Sequence, residues 1–300
     1  MSARPPAARS AWLPAAPCTP GGCARHAGAV RAPLPAALLL LAGCTLTLVG
    51  ALLAPLAALL GAPARRWLAR GWARAVLRAF GVRVSLRGRP AQPPTGGELV
   101  VANHVSWLDV PLIASVLPGR MLAKSEIGRW PVLGPLAALG GTLFIDRERL
   151  RALPTAVRTI AGALRSGSRV VVFPEGSTWC GRGTGGVFRP AVFQAAIDAG
   201  ATVRPVRIAY RTASGAGQRP ARAVAFVGDD PLAASLWRVV RAAGLTAEAD
   251  VLAPIPAHGE PGRRALARTA RAAVLGGGGR PGQTAVASDR ANRSAESVHH

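Results

Sequence analysis

The chain is nearly without lysine: of its 37 basic residues only Lys124 is one, and the rest are arginine. A Walker-type phosphate loop needs Gly-Lys-Ser/Thr, and Ala123-Lys124-Ser125 does not supply it. No G-x-S-x-G occurs, so the sequence offers no serine-hydrolase elbow. Aromatic residues make up 5% of the chain. A basic surface interleaved with aromatics, as nucleic-acid binding requires, is missing outside one short helix, and nucleic acid is not expected as a partner. The four cysteines, Cys18, Cys23, Cys44 and Cys180, are spread over an arm, an apolar run and a loop. That spread gives neither a zinc spacing nor a disulfide framework, so no metal is expected. Gly181, Gly183 and Gly186 satisfy G-x-G-x-x-G, yet no strand directly precedes them and no acid follows at the required distance, which leaves a loop.

What is present is apolar and arginine-rich. Half of the 300 residues are hydrophobic, too many for wholesale disorder. The formal net charge of +23 is uneven: residues 1–94 carry twelve arginines and no acid. The positive field is therefore local. Such a field suits an anionic membrane surface and anionic ligands.

Residues 1–33 are rich in Pro, Ala, Gly and Arg without periodicity and read as a disordered arm. Residues 34–62 contain no charge, and 34–54 alone would span about 31 Å as helix, the thickness of a bilayer core. A transmembrane or membrane-embedded segment is the reading, with Pro55 expected to interrupt it. Arginines crowd closely behind the run, which favours a cytoplasmic carboxyl-terminal side in a cell membrane. Residues 63–81 form an amphipathic juxtamembrane helix, with Leu68, Trp72, Val76 and Phe80 opposite Arg66, Arg70, Arg74 and Arg78. That helix either lies in the interface, Trp and Phe inward, or packs on the domain.

From residue 82 short apolar strands alternate with helices: Leu99–Ala102, Met121–Ala123, Leu143–Ile145, Val170–Phe173 and Val203–Ile208 are the strand candidates. The pattern predicts an α/β fold over 82–270, a mostly parallel sheet with flanking helices, preceded by the N-terminal transmembrane helix. Residues 211–270 show a weaker pattern, and 271–300 read as a disordered tail.

Few residues could carry chemistry. Among the five histidines only His104 stands where a strand ends and a helix begins, the edge at which open α/β sheets bind ligands. Asp109 follows five positions later, about 140° around a helix, so the two meet only if His104 lies in the turn before it. A carboxylate there would fix the imidazole tautomer and raise its basicity.

Four segments together resemble the glycerolipid acyltransferases that acylate lysophosphatidic acid and related lysolipids. Asn103-His104-Val105-Ser106-Trp107-Leu108-Asp109 matches N-H-x-S-x-x-D. Gly141-Thr142-Leu143-Phe144-Ile145-Asp146-Arg147 matches G-x-x-F-I-D-R. Val172-Phe173-Pro174-Glu175-Gly176-Ser177-Thr178 matches F-P-E-G-T-R, and Val203-Arg204-Pro205-Val206 is similar to V-x-P-V. The motif core spans residues 97–210. The resemblance implies His104 as general base, oriented by Asp109, on the free hydroxyl of a lysophospholipid. It implies acyl-CoA or acyl-carrier protein as acyl-donor substrate, with no cofactor and no acyl-enzyme. Arg147 would bind the acceptor phosphate and the Glu175-Gly176 turn would position it, with Ser177, Thr178 and Lys124 beside them. Two departures stand out: Thr178 replaces a family arginine, for which Arg182 or Arg189 could substitute, and Phe188-Arg189-Pro190-Ala191 lacks the family glycine. Both keep open an acceptor with another headgroup, such as a lyso-ornithine lipid, alongside the phosphatidic-acid precursor. A non-enzymatic anionic-lipid-binding membrane protein is the rival reading.

Overall fold

A computed structural model describes residues 16–88, 96–146, 150–214, 217–259 and 261–276. A short helix α1 (Pro20–Cys23) precedes the apolar helix α2 (Pro33–Ala58) and the amphipathic helix α3 (Ala62–Ala79). The α/β unit then runs β1 (Val82–Arg87), β2 (Glu98–Ala102), α4 (Asp109–Val116), β3 (Arg120–Lys124), α5 (Leu133–Leu139) and β4 (Leu143–Ile145). It continues through α6 (Leu153–Arg165), β5 (Arg169–Val172), α7 (Ala191–Asp198), β6 (Thr202–Ser214) and β7 (Gly217–Pro220). It closes with α8 (Leu232–Arg241), β8 (Leu245–Val251), β9 (Ile255–Pro256) and α9 (Arg263–Gly276).

The sheet is mixed and mostly parallel, in the order β1-β8-β6-β2-β5-β3-β4, with β7 and β9 paired to β6. β2 runs parallel to both β5 and β6, and β3 runs parallel to β5 and β4. β8 enters antiparallel to β6 and parallel to β1. All five residues of β2 are buried, as a strand covered on both faces requires. Its side chains alternate between two cores. Val100 and Ala102 join Leu77, Leu112, Ile113, Val239 and Leu245 on one face. Leu99 and Val101 join Ile160, Leu164, Phe193 and Leu266 on the other. Because β2, β3, β4 and β5 are parallel, their carboxyl ends share one edge of the sheet. His104, Lys124 and Glu175 stand at or just beyond those ends.

Three expectations are corrected and one open alternative is decided. First, the arm is not wholly disordered: residues 16–32 dock on the domain, where Val30 bridges Ala242 and the Arg31 guanidinium donates to the carbonyls of Val240, Ala242 and Gly81. Residues 1–15 lie outside the described residues. Second, Pro55 does not interrupt the apolar run; α2 continues through it to Ala58. One lost hydrogen bond is tolerable so near a helix end. Third, α3 turns its apolar face inward. Val76 and Phe80 are buried with Ala36 and Val240, and Trp72 packs beside them. A Cβ on Gly43 would overlap the Phe80 ring and one on Gly50 the Trp72 indole, so both glycines are sockets in α2. The Trp72 Nε1–H donates to the Leu46 carbonyl at 3.2 Å. Trp67, by contrast, is 76% exposed, and Leu34, Leu38, Leu41, Leu52 and Leu56 are exposed on the outer face of α2. Fourth, α9 carries order past residue 270 to Gly276; residues 277–300 lie outside the described residues.

Candidate active site

The turn between β2 and α4 builds the site. Asp109 is the first residue of α4 and is fully buried. Its Oδ2 accepts from His104 Nδ1 at 2.7 Å, from the Val105 N–H at 2.6 Å and from the Ser106 N–H at 2.9 Å. Its Oδ1 accepts from the Tyr210 hydroxyl at 2.5 Å. Four donors satisfy a carboxylate that burial would otherwise make costly. The five-residue spacing closes because residues 103–108 form a turn that folds the imidazole back onto the helix start.

A carboxylate can only accept, so Nδ1 carries the proton and Nε2 keeps the lone pair. The side chain is 20% exposed. The ring stacks on Phe173, centroids 4.1 Å apart and planes 12° from parallel. Its main chain is held as well: the His104 N–H donates to Glu175 Oε2 at 2.8 Å, and the Trp179 N–H donates to the His104 carbonyl at 2.7 Å. Asn103 clamps the turn to β6, donating to the Ile208 carbonyl at 3.0 Å and accepting from its N–H at 2.8 Å.

Glu175 is only 5% exposed, and its other oxygen accepts from the Gly186 N–H at 2.9 Å. Burial raises its carboxyl from 4.5 to about 6, against the main-chain donors of His104 and Gly186, which favour the charge. With both oxygens engaged, Glu175 tethers the loop to His104. Both oxygens of this expected headgroup residue are thus engaged within the fold. Gly176 has φ of +76°, a conformation that a side chain would strain, and its N–H closes the turn onto the Phe173 carbonyl at 3.1 Å. The Thr178 hydroxyl donates to the Phe226 carbonyl, which occupies it within the fold. The Ser177 hydroxyl is enclosed without a hydrogen-bond partner among the described residues. Lys124 is exposed at the end of β3, on the same sheet edge. Arg182 and Arg189 are exposed on the loop that follows β5. Arg147 lies outside the described residues.

Tyr210 carries no motif of its own in the sequence. It is buried on β6, and burial together with the Asp109 charge pushes its hydroxyl well above its ordinary value, so it remains a donor. The one available signal is its place in β6, four residues after Val206 of the V-x-P-V segment. The expectation for the cysteines is also corrected. Cys18, Cys23 and Cys180 are not scattered in space: their sulfurs lie within 4.8 Å of one another.

A buried aspartate that fixes the tautomer of a partly exposed histidine is an arrangement that can serve general-base catalysis on a hydroxyl. An acyltransferase family model matches residues 83–209, the stretch that holds this pair. The 1-acyl-sn-glycerol-3-phosphate acyltransferase of Neisseria meningitidis serogroup B is 40% identical over 194 residues, 64% of this chain and 73% of its own. The lyso-ornithine lipid O-acyltransferase of Pseudomonas aeruginosa is 36% identical over 212 residues, 71% of this chain and 78% of its own. In fold, the chain is similar to the crystal structure of the 1-acyl-sn-glycerophosphate (LPA) acyltransferase from Thermotoga maritima. The TM-score is 0.63 at 19% identity, over 81% of this chain and 93% of that one. With the site geometry and these likenesses together, the chain belongs to the acyltransferase family of glycerolipid and lysolipid enzymes.

Proposed function

We propose that this enzyme is membrane-bound and moves a fatty acyl group from acyl-CoA or acyl-carrier protein to the free hydroxyl of lysophosphatidic acid, giving phosphatidic acid. The observation that carries the reading is the 2.7 Å bond between His104 Nδ1 and the buried Asp109 carboxylate. His104 Nε2 takes the hydroxyl proton as the oxygen attacks the thioester carbonyl. The tetrahedral intermediate collapses, the C–S bond breaks, and the imidazolium returns the proton to the leaving thiolate. Asp109 stabilises the transient cation. The thioester supplies the driving force, so the transfer calls for no cofactor.

Membrane attachment rests on α2, which is long and apolar enough to cross a bilayer and exposes a leucine-rich face. The arginines directly behind α2 favour a cytoplasmic position for the catalytic unit. The resemblance to the G-x-x-F-I-D-R block supports Arg147 as the ligand of the acceptor phosphate, with Lys124, exposed at the end of β3, as a second cation for that charge.

One observation favours a second acceptor. The family arginine is replaced by Thr178, whose hydroxyl is already bonded to Phe226, so this position does not supply the phosphate contact. A lyso-ornithine lipid is the alternative, and it is the acceptor named for the Pseudomonas relative. The test is an acyl-transfer assay with purified protein across lysophosphatidic acid, lyso-ornithine lipid and neutral lysolipids, using acyl-CoA and acyl-carrier protein in parallel. Phosphatidic acid as the dominant product, lost in His104→Ala, is the expected result. Full activity in His104→Ala overturns the mechanism, and preference for lyso-ornithine lipid reassigns the acceptor.

A further inference from the structure

Three of the four cysteines meet at one point, from parts of the chain far apart in sequence. Cys18 precedes α1, Cys23 ends it, and Cys180 lies in the loop after β5. Their sulfurs all lie within 4.8 Å of one another, with Cys18 buried and the other two half-buried. The backbone of α1 sets the positions of the first two. The Thr19 hydroxyl caps α1 by accepting from the Gly22 N–H at 3.3 Å, and the Cys23 N–H donates to the Thr19 carbonyl at 2.9 Å. Ala24, Ala225 and Val227 enclose Cys18, and Trp179 packs against them. Three thiols held this close and partly dried form a preorganised soft-ligand set, which selects thiophilic cations over hard ones.

We propose that Cys18, Cys23 and Cys180 together bind one thiophilic d10 metal ion, with zinc(II) as the reference cation and a solvent molecule as its fourth ligand. Zinc–sulfur bonds of roughly 2.3 Å at tetrahedral angles put the sulfurs about 3.8 Å apart, so side-chain adjustments of under ~1 Å are enough. On binding, three S–H bonds are exchanged for three S–metal bonds and the protons pass to solvent; nothing is oxidised or reduced. No histidine, aspartate or glutamate joins the group among the described residues, and the half-buried side at Cys23 and Cys180 admits the solvent ligand. The tris-thiolate zinc unit carries one net negative charge, and the nearby Arg182 guanidinium offsets it.

The ion would fasten two segments with different duties. Residues 18–31 lead into the apolar helix, while Trp179, next to Cys180, donates its N–H to the His104 carbonyl at 2.7 Å. A disulfide fits less well, because it uses two of the three sulfurs and needs an oxidant.

The test uses the full chain in detergent, purified with a reductant and no added metal. About one zinc per chain by elemental analysis is expected, falling below ~0.2 in Cys18→Ser, Cys23→Ser and Cys180→Ser but not in Cys44→Ser. The native protein, stripped with a chelator and titrated with cobalt(II), should develop a near-ultraviolet sulfur-to-cobalt charge-transfer band that saturates at about one equivalent. That measurement does not depend on the variants folding. Zinc below ~0.2 per chain after remetallation together with no cobalt–thiolate band overturns the proposal. So does a disulfide between any two of the three cysteines in the protein as isolated. Neither outcome touches the assignment of His104.

Discussion

Replacing Tyr210 by phenylalanine isolates the part of the site that lies farthest away in sequence. The hydroxyl is the donor to Asp109 Oδ1, at 2.5 Å, while Oδ2 receives the other three hydrogen bonds. Phenylalanine keeps the ring and its packing. A hydrogen bond to a charged group contributes about 1.5–3 kcal/mol, and an acceptor left unsatisfied in a fully buried site falls toward the upper end. Tyr210→Phe should therefore lower unfolding stability by about 2–3 kcal/mol. The catalytic effect has a separate cause. With Oδ1 bare, the carboxylate gains by rotating toward the remaining donors, which disturbs the Oδ2 contact that orients His104. A misaligned base costs roughly 10- to 100-fold in kcat. Acceptor affinity does not depend on this bond, so KM should change little.

The assay is steady-state acyl transfer across pH, well below the melting temperature of the variant. Two readouts separate positioning from mere stability. The loss should appear in kcat and not in KM. The loss should also persist undiminished as the assay temperature is lowered further below unfolding, as misalignment within a folded site requires. If the variant loses stability yet keeps kcat within twofold across the pH range, Tyr210 only packs, and its hydroxyl has no part in positioning Asp109 for catalysis.

Other outcomes follow from the same contacts. His104→Ala should lower transfer by about 10²- to 10⁴-fold with the fold intact by circular dichroism, as loss of a general base does; residual activity above a tenth of native speaks against it. Asp109→Asn leaves one acceptor for the Val105 and Ser106 N–H groups but removes the charge and sets an NH2 against the Tyr210 hydroxyl, and should lower both kcat and thermal stability. Glu175, raised from 4.5 to about 6 by burial, binds an extra proton when folded. Its contribution to stability is present below about pH 4.5 and is lost as pH rises through about 6, on the order of 2 kcal/mol in total. Denaturation of native and Glu175→Gln protein across pH 4 to 7 should diverge accordingly, and parallel curves would contradict the assignment. Gly50→Val drives a side chain into the Trp72 indole and should cost roughly 1–3 kcal/mol and loosen α2 from α3. Unchanged melting would show that the glycine socket is unimportant.

Local features are legible in the sequence, and distant pairings are not. His104 and Asp109 are five residues apart, so a turn before a helix is enough to join them. The strands β2, β3, β4 and β5 are short apolar runs, and their composition exposes them. β8 hides because Glu248 and Asp250 interrupt its pattern. Glu248 is buried in a strand only because Arg87 and Arg211 reach it from β1 and β6. No spacing rule supplies those partners. The same holds for Glu175, whose two donors sit at His104 and Gly186, and for the cysteines, which converge only once the arm has docked. Periodicity identifies the apolar face of α3, but it cannot say what covers that face. The covering surface is α2, through Gly43 and Gly50.

The function depends on how these distant pairings act on one side chain. His104 follows β2, and each restraint on it comes from a different place. Asp109 at the start of α4 holds Nδ1, with Tyr210 of β6 behind it. Phe173, following β5, lies flat against the ring. Glu175 holds the N–H and Trp179 the carbonyl. Each contact fixes a degree of freedom that a base would otherwise lose on meeting its substrate. None of them occupies Nε2, the atom that takes the proton in the proposed mechanism. Apart from the partly exposed His104 and Asn103 and the stacked Phe173, the groups that do the holding are main-chain atoms or deeply buried polar side chains. In the proposed reaction a hydroxyl arriving from a lipid surface would therefore meet a ring whose position is set before binding, so binding energy from the acyl chains and headgroup need not be spent on aligning the base.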